Sequence, residues 1–356
     1  MPISKFAGKA QTVLGIIEGK DLGVTLLHEH LFMDHAKANF TEPSGASERA
    51  LAYKPVSIEI LSWLHYHPGE NLDNMQLLDE QEAIDEAILF KKAGGNTIVE
   101  VTNAGIGRDP KALARVSRAT GLNIIMGAGY YLGSSHPPEM SDKTEEDITE
   151  EIVRDINVGV DNSGIRAGII GEIGCSWPLL HNERKVLLAA ARAQQLTGAP
   201  LSVHPGRKNN VAALEIVKLL ADAGADLNRV IIDHIDVRVR GHKEQCKIAK
   251  AGCYLEYDAF GWEGHGPSSF YQEADIEVPN DTQRVDEIIQ LINEGYLNQI
   301  LISQDICYKA WRVRYGGRGH AHISNYVVPM MLRKGMTNEQ ISTIMVGNPK
   351  RLLCFV

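Results

Sequence analysis

Two periodicities alternate along the chain. Short apolar runs rich in β-branched residues are each followed by a turn and then by a segment whose apolar positions recur every three or four residues. That alternation predicts repeated βα units rather than a sandwich. Eight such runs can be counted: VTLLHEHLF (24–32), TIVEVT (97–102), NIIMGAGYY (123–131), AGIIGEIG (167–174), LSVHPG (201–206), VIIDHID (230–236), YLEYDAFG (254–261) and ILISQDI (300–306). The helical candidates between them include LLDEQEAIDEAILFKKAGG (77–95), DPKALARVSRATG (109–121), ERKVLLAAARAQQLTG (183–198) and NVAALEIVKLLADAG (210–224), closed by the glycine expected past a helix C-terminus.

Strands buried on both faces are near-continuous apolar runs, and eight parallel strands alternating with helices can close into a (β/α)8 (TIM) barrel. An open doubly wound sheet is the rival, but no GxGxxG turn follows the first strand. A long insertion, roughly residues 33–75, follows it instead, and a second, GWEGHGPSSFYQEADIEVPN (261–280), follows strand seven. Both are expected as loops over the barrel mouth. The whole chain, 1–356, is expected to form a single domain, since barrels with insertions reach this length.

The informative polar positions are those at the C-terminal ends of these apolar strands. Strand one carries His28 and His30, strand four Glu172, strand five His204, strand six His234 and strand eight Asp305. A buried ionisable group costs several kcal/mol unless it is paired or binds a metal, and in a barrel all these ends converge on one face. His28 and His30, two apart on a strand, share a face, with Glu29 pointing the other way. HxH alone is weak, because His65/His67 and His320/His322 repeat it in what look like loops.

Four imidazoles and two carboxylates suit zinc first, with iron, manganese or cobalt as the other candidates, rather than magnesium or calcium. One catalytic zinc normally takes three protein ligands, so six point to two ions, and Glu172 could bridge them. The alternatives are an inward Glu172 paired with a barrel arginine and Asp305 capping the next helix. A water held between two divalent cations is acidified enough to supply hydroxide, with Asp305 moving the proton, and hydrolysis is the natural outcome.

Composition narrows the partners. Net charge is −9 from 36 basic and 45 acidic residues, without a long basic run, which argues against nucleic acid or an acidic membrane surface. No stretch has the length of a membrane span, and the first residues lack a signal-peptide core. Five cysteines without CxxC spacing argue against a disulfide framework and for a cytoplasmic protein. A small-molecule substrate is expected, and nothing excludes a homo-oligomer.

HEH (28–30), GIIGEIG (168–174), VHPG (203–206), DHID (233–236) and SQDI (303–306) resemble the metal motifs of the phosphotriesterase family of the amidohydrolase superfamily. RAGIIGEIGCSWPL, ERKVL, HPGR, GCYLEYDAFG, YGG, VVPMML and NPK extend the resemblance nearly end to end and are similar to its animal-type branch. The resemblance implies a binuclear centre with His28, His30 and Asp305 on a buried ion, His204 and His234 on an exposed one, and Glu172 bridging. Phosphotriesterases themselves bridge with a carboxylated lysine on strand four, and no lysine lies between 167 and 174, which argues against organophosphate hydrolysis. For this branch the implied activity is cleavage of N-acetyltaurine to taurine and acetate.

An anionic substrate directs attention to basic mouth residues. Arg207 is the first candidate for its tail, with Lys309, Arg312 and Arg314 behind it. Tyr131 matches a tyrosine near the metals of related lactonases and could orient the substrate carbonyl, while Cys175 and Trp177 could shape the pocket wall or merely pack. A lactonase or phosphoesterase with the same site, and a binding protein with a vestigial one, are the competing functions.

Overall fold

Eight parallel strands form one sheet curled into a nearly closed barrel, in a computed structural model that describes residues 6–206, 210–263 and 278–356. They are β1 (Thr25–Glu29), β2 (Thr97–Glu100), β3 (Asn123–Ala128), β4 (Ile169–Gly174), β5 (Leu201–His204), β6 (Val230–Ile232), β7 (Tyr254–Tyr257) and β8 (Ile300–Ile302), paired in sequence order. Each is shorter than its apolar run. The sequence pattern continues past the last ladder bond because the residues at the mouth stay buried after pairing ends.

Side chains alternate across the barrel wall with the period of two expected of strands. Leu27, Val99, Ile125, Ile169, Ile231 and Leu301 form one buried cluster; Leu26, Ile98, Ile124, Ile170, Val230, Ile232 and Ile300 belong to another that includes helix residues. The surrounding helices are stopped by local chemistry. In α1 (Glu80–Lys92) Asp79 accepts from the backbone of Glu82, in α2 (Pro110–Thr120) Asp109 accepts from Ala112, and α3 (Glu145–Asn157) opens on a capping box of Thr144 and Asp147. Gly121 and Gly198 end α2 and α4 (His181–Thr197) at φ +68° and +71°, where a side chain would be strained.

Between β8 and β1 a side chain completes the seam. Ser303 Oγ donates to the His28 carbonyl (2.9 Å) and accepts from the His28 amide (3.0 Å), while the Asp305 amide donates to the same carbonyl (3.2 Å). An N-terminal hairpin, Lys9–Thr12 with Gly15–Glu18, pairs through Lys9 and Gly8 with Phe355 near the C-terminus.

The first insertion folds into short helices between two strands, Met33–Asp34 and Gln76–Leu77, that pair antiparallel. Met33, His35 and Asn39 from it line the central cavity, as expected of a mouth loop. Most of the second insertion lies outside the described residues. All five cysteines are buried and free. Among the described residues no helix is long and apolar enough to cross a membrane.

Close approach of β4 to the end of β3 fixes Tyr131. A Cβ on Gly174 would lie 2.3 Å from both Tyr131 C and Leu132 N, backbone atoms that cannot step aside. Gly174→Ala is therefore expected to lower unfolding free energy by about 1–3 kcal/mol, the range for overpacking. Urea denaturation with an unchanged m-value would measure it, and wild-type stability would refute the close contact.

Candidate metal centre

Where the strands stop, the backbone turns sharply enough to bring their last side chains together. His234 and Asp305 have left-handed φ values of +55° and +48°. Such conformations cost roughly 1–3 kcal/mol for residues with a Cβ and persist where the surroundings impose them. Here Glu29 imposes the second. Its carboxylate accepts from the amides of Gln304 (2.9 Å) and Ile306 (3.0 Å), gripping the chain on both sides of Asp305, and lies 2.8 Å from Ser303 Oγ, whose one proton is shared between Glu29 and the His28 carbonyl. Glu29 thus points away from its histidine neighbours, as expected. A register shift after Leu26 and a strand end at Glu29 put His30 just beyond the ladder rather than on it, a correction to the two-apart-on-a-strand reading.

All six candidate ligands meet at the mouth and are buried. Glu172 sits at the centre with its two oxygens facing different partners. Oε1 lies 3.5 Å from His30 Nε2 and 3.7 Å from His28 Nε2; Oε2 lies 2.9 Å from His204 Nδ1 and 3.6 Å from His234 Nε2. Asp305 Oδ1 completes the first group, 3.3 Å from His30 Nε2 and 3.9 Å from His28 Nε2. Ions about 2.0–2.1 Å from each nitrogen would hold tetrahedral ligand atoms about 3.4 Å apart, so the first group already has the right spacing. In the second, His234 Nε2 and His204 Nδ1 are 2.8 Å apart and would have to part slightly. Neither nitrogen of His28, fully buried, has a hydrogen-bond partner among the described residues, as expected of a group whose partner is an ion.

Hydrogen bonds behind the ring fix which nitrogen faces inward. Thr102 Oγ1 donates to the Phe32 carbonyl (2.8 Å), so it must accept from His30 Nδ1 (2.8 Å), leaving Nε2 bare toward Asp305 and Glu172. His234 Nδ1 donates to Asp258 Oδ1 (2.9 Å), whose other oxygen accepts the His234 amide (2.9 Å), and again Nε2 is left bare. His28 Nδ1 is turned toward Asp258 and Asp233, 3.5 and 3.8 Å away. Carboxylates behind metal-binding histidines act in this way.

The electrostatics keep the carboxylates ionised. Burial pushes the Glu172 carboxyl up, but the surrounding His28, His204 and His234 outweigh it and hold it well below the ordinary range. Burial likewise opposes Asp305, yet His30, His28 and His234 bring it down to about 2. Burial and the neighbouring His234 depress His204 to about 3, while Asp258 and Glu172 overcome burial to raise His234 to about 10. The cluster is built around positive charge.

The alternatives for individual residues do not match the geometry. Glu172 meets histidines, not an arginine, and the segment after Asp305 turns into a short 3-10 stretch at Lys309–Trp311 without an Asp305 cap. Tyr131 lines the cavity with its hydroxyl 3.5 Å from His204 Nδ1. Cys175 is buried packing, and Trp177 borders a separate outer cavity with Leu179 and Arg184. His65 and His67 stay in the mouth insertion, where His67 stacks on Trp63. His320 and His322 are not loop residues at the surface but buried ones: His322 Nε2 pairs with Asp281 (2.6 Å), and His320 lies 3.6 Å from Glu29. Arg207 lies outside the described residues. Lys309 is tied to Asp73 (2.5 Å), Arg312 is fully buried against the Leu31 carbonyl and Glu82, and Arg314 reaches outward toward Glu82; none lines the cavity.

Sequence reasoning passed over Asp258 and Arg238, both at this site. Asp258 ends an apolar strand just as the other six do, so the same rule would have found it. Replacing it by Asn removes the charge that orients His234 and faces His28. Asp258→Asn is expected to weaken metal binding about 10- to 100-fold while the fold persists. Competition with a chelator would measure this, and unchanged affinity would make Asp258 a bystander.

Comparison with known proteins follows the same lines. A profile of the Phosphotriesterase family matches residues 8–353. The chain is 43% identical to the N-acetyltaurine hydrolase of Dictyostelium discoideum over 98% of both chains, and 41% identical to that of Homo sapiens over 99% of this chain and all of the other. A solved structure, a resiniferatoxin-binding protein from Rhodobacter sphaeroides, superposes with a TM-score of 0.93 at 38% identity, covering 99% of this chain and 97% of that one. With a matching profile over nearly its whole length and a barrel carrying the expected ring of histidines and carboxylates, this chain belongs to the phosphotriesterase family of hydrolases.

Proposed function

We propose that the protein is a binuclear metal-dependent amide hydrolase that cleaves N-acetyltaurine to taurine and acetate. The observation that carries the chemistry is Glu172, whose two oxygens each face a separate pair of histidine nitrogens. The observation that carries the substrate is the activity for which relatives 41–43% identical over 98–99% of the chain are named.

His28, His30 and Asp305 would hold one ion, His204 and His234 the other, with Glu172 shared between them; zinc suits this donor set first, then iron, manganese or cobalt. When bound, two such ions acidify a water and polarise the scissile carbonyl. Asp305, with Oδ1 beside His30 and Oδ2 4.0 Å from His234 Nδ1, stands between the two groups and can take the proton of the attacking water. It then returns that proton to the departing amide nitrogen, and the remaining proton of the water passes from the new carboxyl group to the amine, so that acetate and the ammonium form of taurine result without net proton loss. Tyr131, which lines the same cavity, would hold the carbonyl of the substrate. Met33, Val237, Ala259 and Trp262 line the same cavity and offer an apolar wall that keeps bulk water off the reacting centre.

Two tests bear on this reading. Purified protein is expected to release acetate from N-acetyltaurine, to lose that activity on chelation and to regain it with zinc; turnover restricted to lactones or phosphoesters would move the function within the family. No turnover of any of these would favour a binding protein. Glu172→Gln is expected to lose metal or most turnover while circular dichroism and solubility stay those of the wild type. Unchanged metal content and rate would leave Glu172 a structural residue.

A further inference from the structure

Away from the barrel mouth, a second group of metal-ligating side chains meets on the outer helices. The helix His242–Lys250 leads into β7, and the helix Asp281–Asn293 follows β7 and leads into β8. Gln245 Nε2 donates to Glu287 Oε2 (3.2 Å), which ties the two helices together. His242 and Cys246, four residues apart, share one face of the first helix. Glu294 caps the end of the second. His242 Nε2 lies 3.5 Å from Cys246 Sγ and 3.5 Å from Glu294 Oε1, and one ligand atom from each of the three lies within 4.8 Å of the other two. None of them lines the central cavity.

These are the spacings of a coordination sphere. With zinc about 2.0–2.1 Å from nitrogen or oxygen and about 2.3 Å from sulfur, tetrahedral geometry sets ligand atoms about 3.4–3.6 Å apart. An ion pair alone would need only His242 and Glu294. The thiol on the third side adds little to that pair, since Nε2 of a neutral imidazole can donate to the carboxylate or accept from the thiol but not do both. All three atoms can instead give a lone pair to one cation. His242 Nδ1 has no hydrogen-bond partner among the described residues, so the polar contacts of this ring fall on Nε2. Thiolate and imidazole with a single carboxylate suit zinc rather than magnesium or calcium. Cys246 is buried, His242 partly so, and Glu294 is exposed, which leaves the group within reach of an ion from solvent. Burial and the Glu294 carboxylate push the Cys246 thiol up, so the ion has to displace its proton.

We infer that His242, Cys246 and Glu294 form a peripheral zinc site, with water as the fourth ligand, that cross-links the helices on either side of β7. The site is separate from the barrel centre and does not depend on the hydrolase reading. Its effect is on stability: β7 runs on to Asp258, the carboxylate behind His234, and the ion fastens the two helices that flank this strand in the chain.

The test is loading of the whole protein with cobalt and with zinc. The proposed barrel ligands offer only nitrogen and oxygen, so a thiolate-to-cobalt charge-transfer band in the near ultraviolet reports the peripheral site. The wild type is expected to show that band, and Cys246→Ser and His242→Ala to lose it, the second with the thiol still in place. Elemental analysis after zinc loading should find about one ion per chain fewer in either variant, whatever number the barrel holds. Excess zinc should raise the unfolding temperature of the wild type more than that of Cys246→Ser, because an ion that binds only the folded chain stabilises it. A band that persists in Cys246→Ser would place the thiolate elsewhere, with Cys307 in the cavity wall the first alternative. No band in the wild type, or equal zinc content in wild type and variants, would leave the three side chains as an ion pair beside a thiol. An equal thermal shift in both proteins would remove the cross-link. Each of these results overturns the assignment.

Discussion

A carboxylate buried at the mouth of an apolar barrel is untenable alone, and Glu172 is such a carboxylate. Taking its charge from water costs several kcal/mol, and only close positive partners offset that cost. The partners are imidazoles, which are neutral in the protonation state that suits a metal ligand. Protonating enough of them would neutralise the site but leave the histidines repelling one another. Divalent ions remove both problems together, and the inward-facing Nε2 atoms of His30 and His234 are already held in the tautomer that accepts them.

The same constraint explains features that look unrelated. Left-handed backbone at His234 and Asp305 is a local cost incurred to aim two side chains at one point. Glu29 bears part of it at Asp305 through two backbone hydrogen bonds on the flanking chain, and Ser303, beside its carboxylate, joins that grip to the seam between the last strand and the first. The barrel's closure and the position of its proposed proton carrier are thus one hydrogen-bonded unit. Behind His28 lie two further buried carboxylates, Asp233 and Glu256, beside Asp258, and Val, Ile and Leu make up most of the cluster that fills the rest of the barrel interior.

Much of this was legible in the residues themselves. Eight apolar runs separated by helical periods predict the barrel, and ionisable residues at the ends of those runs predict its site, because burial makes such placements costly unless they serve a purpose. The mouth insertion was legible as an insertion, though its short helices, held by contacts such as those of Asn71 and Asn74 rather than by periodicity, were not. His320 and His322 look like loop residues because glycines precede them; their burial against Glu29 and Asp281 depends on contacts far apart in sequence. Lys309 and Arg312 were eligible as anion holders by position alone, and only tertiary partners, Asp73 and Glu82, disqualify them. Arg238 was missed because an arginine four residues past a ligand carries no periodic signal.

The central claim is that two ions share Glu172, and anomalous diffraction from crystals of the zinc-loaded protein addresses it most directly. The account predicts two anomalous peaks about 3.5–4 Å apart, one bounded by His28, His30 and Asp305 and the other by His204 and His234, with Glu172 between them. A single peak in an active crystal, or two peaks with Glu172 turned away from either, would contradict it.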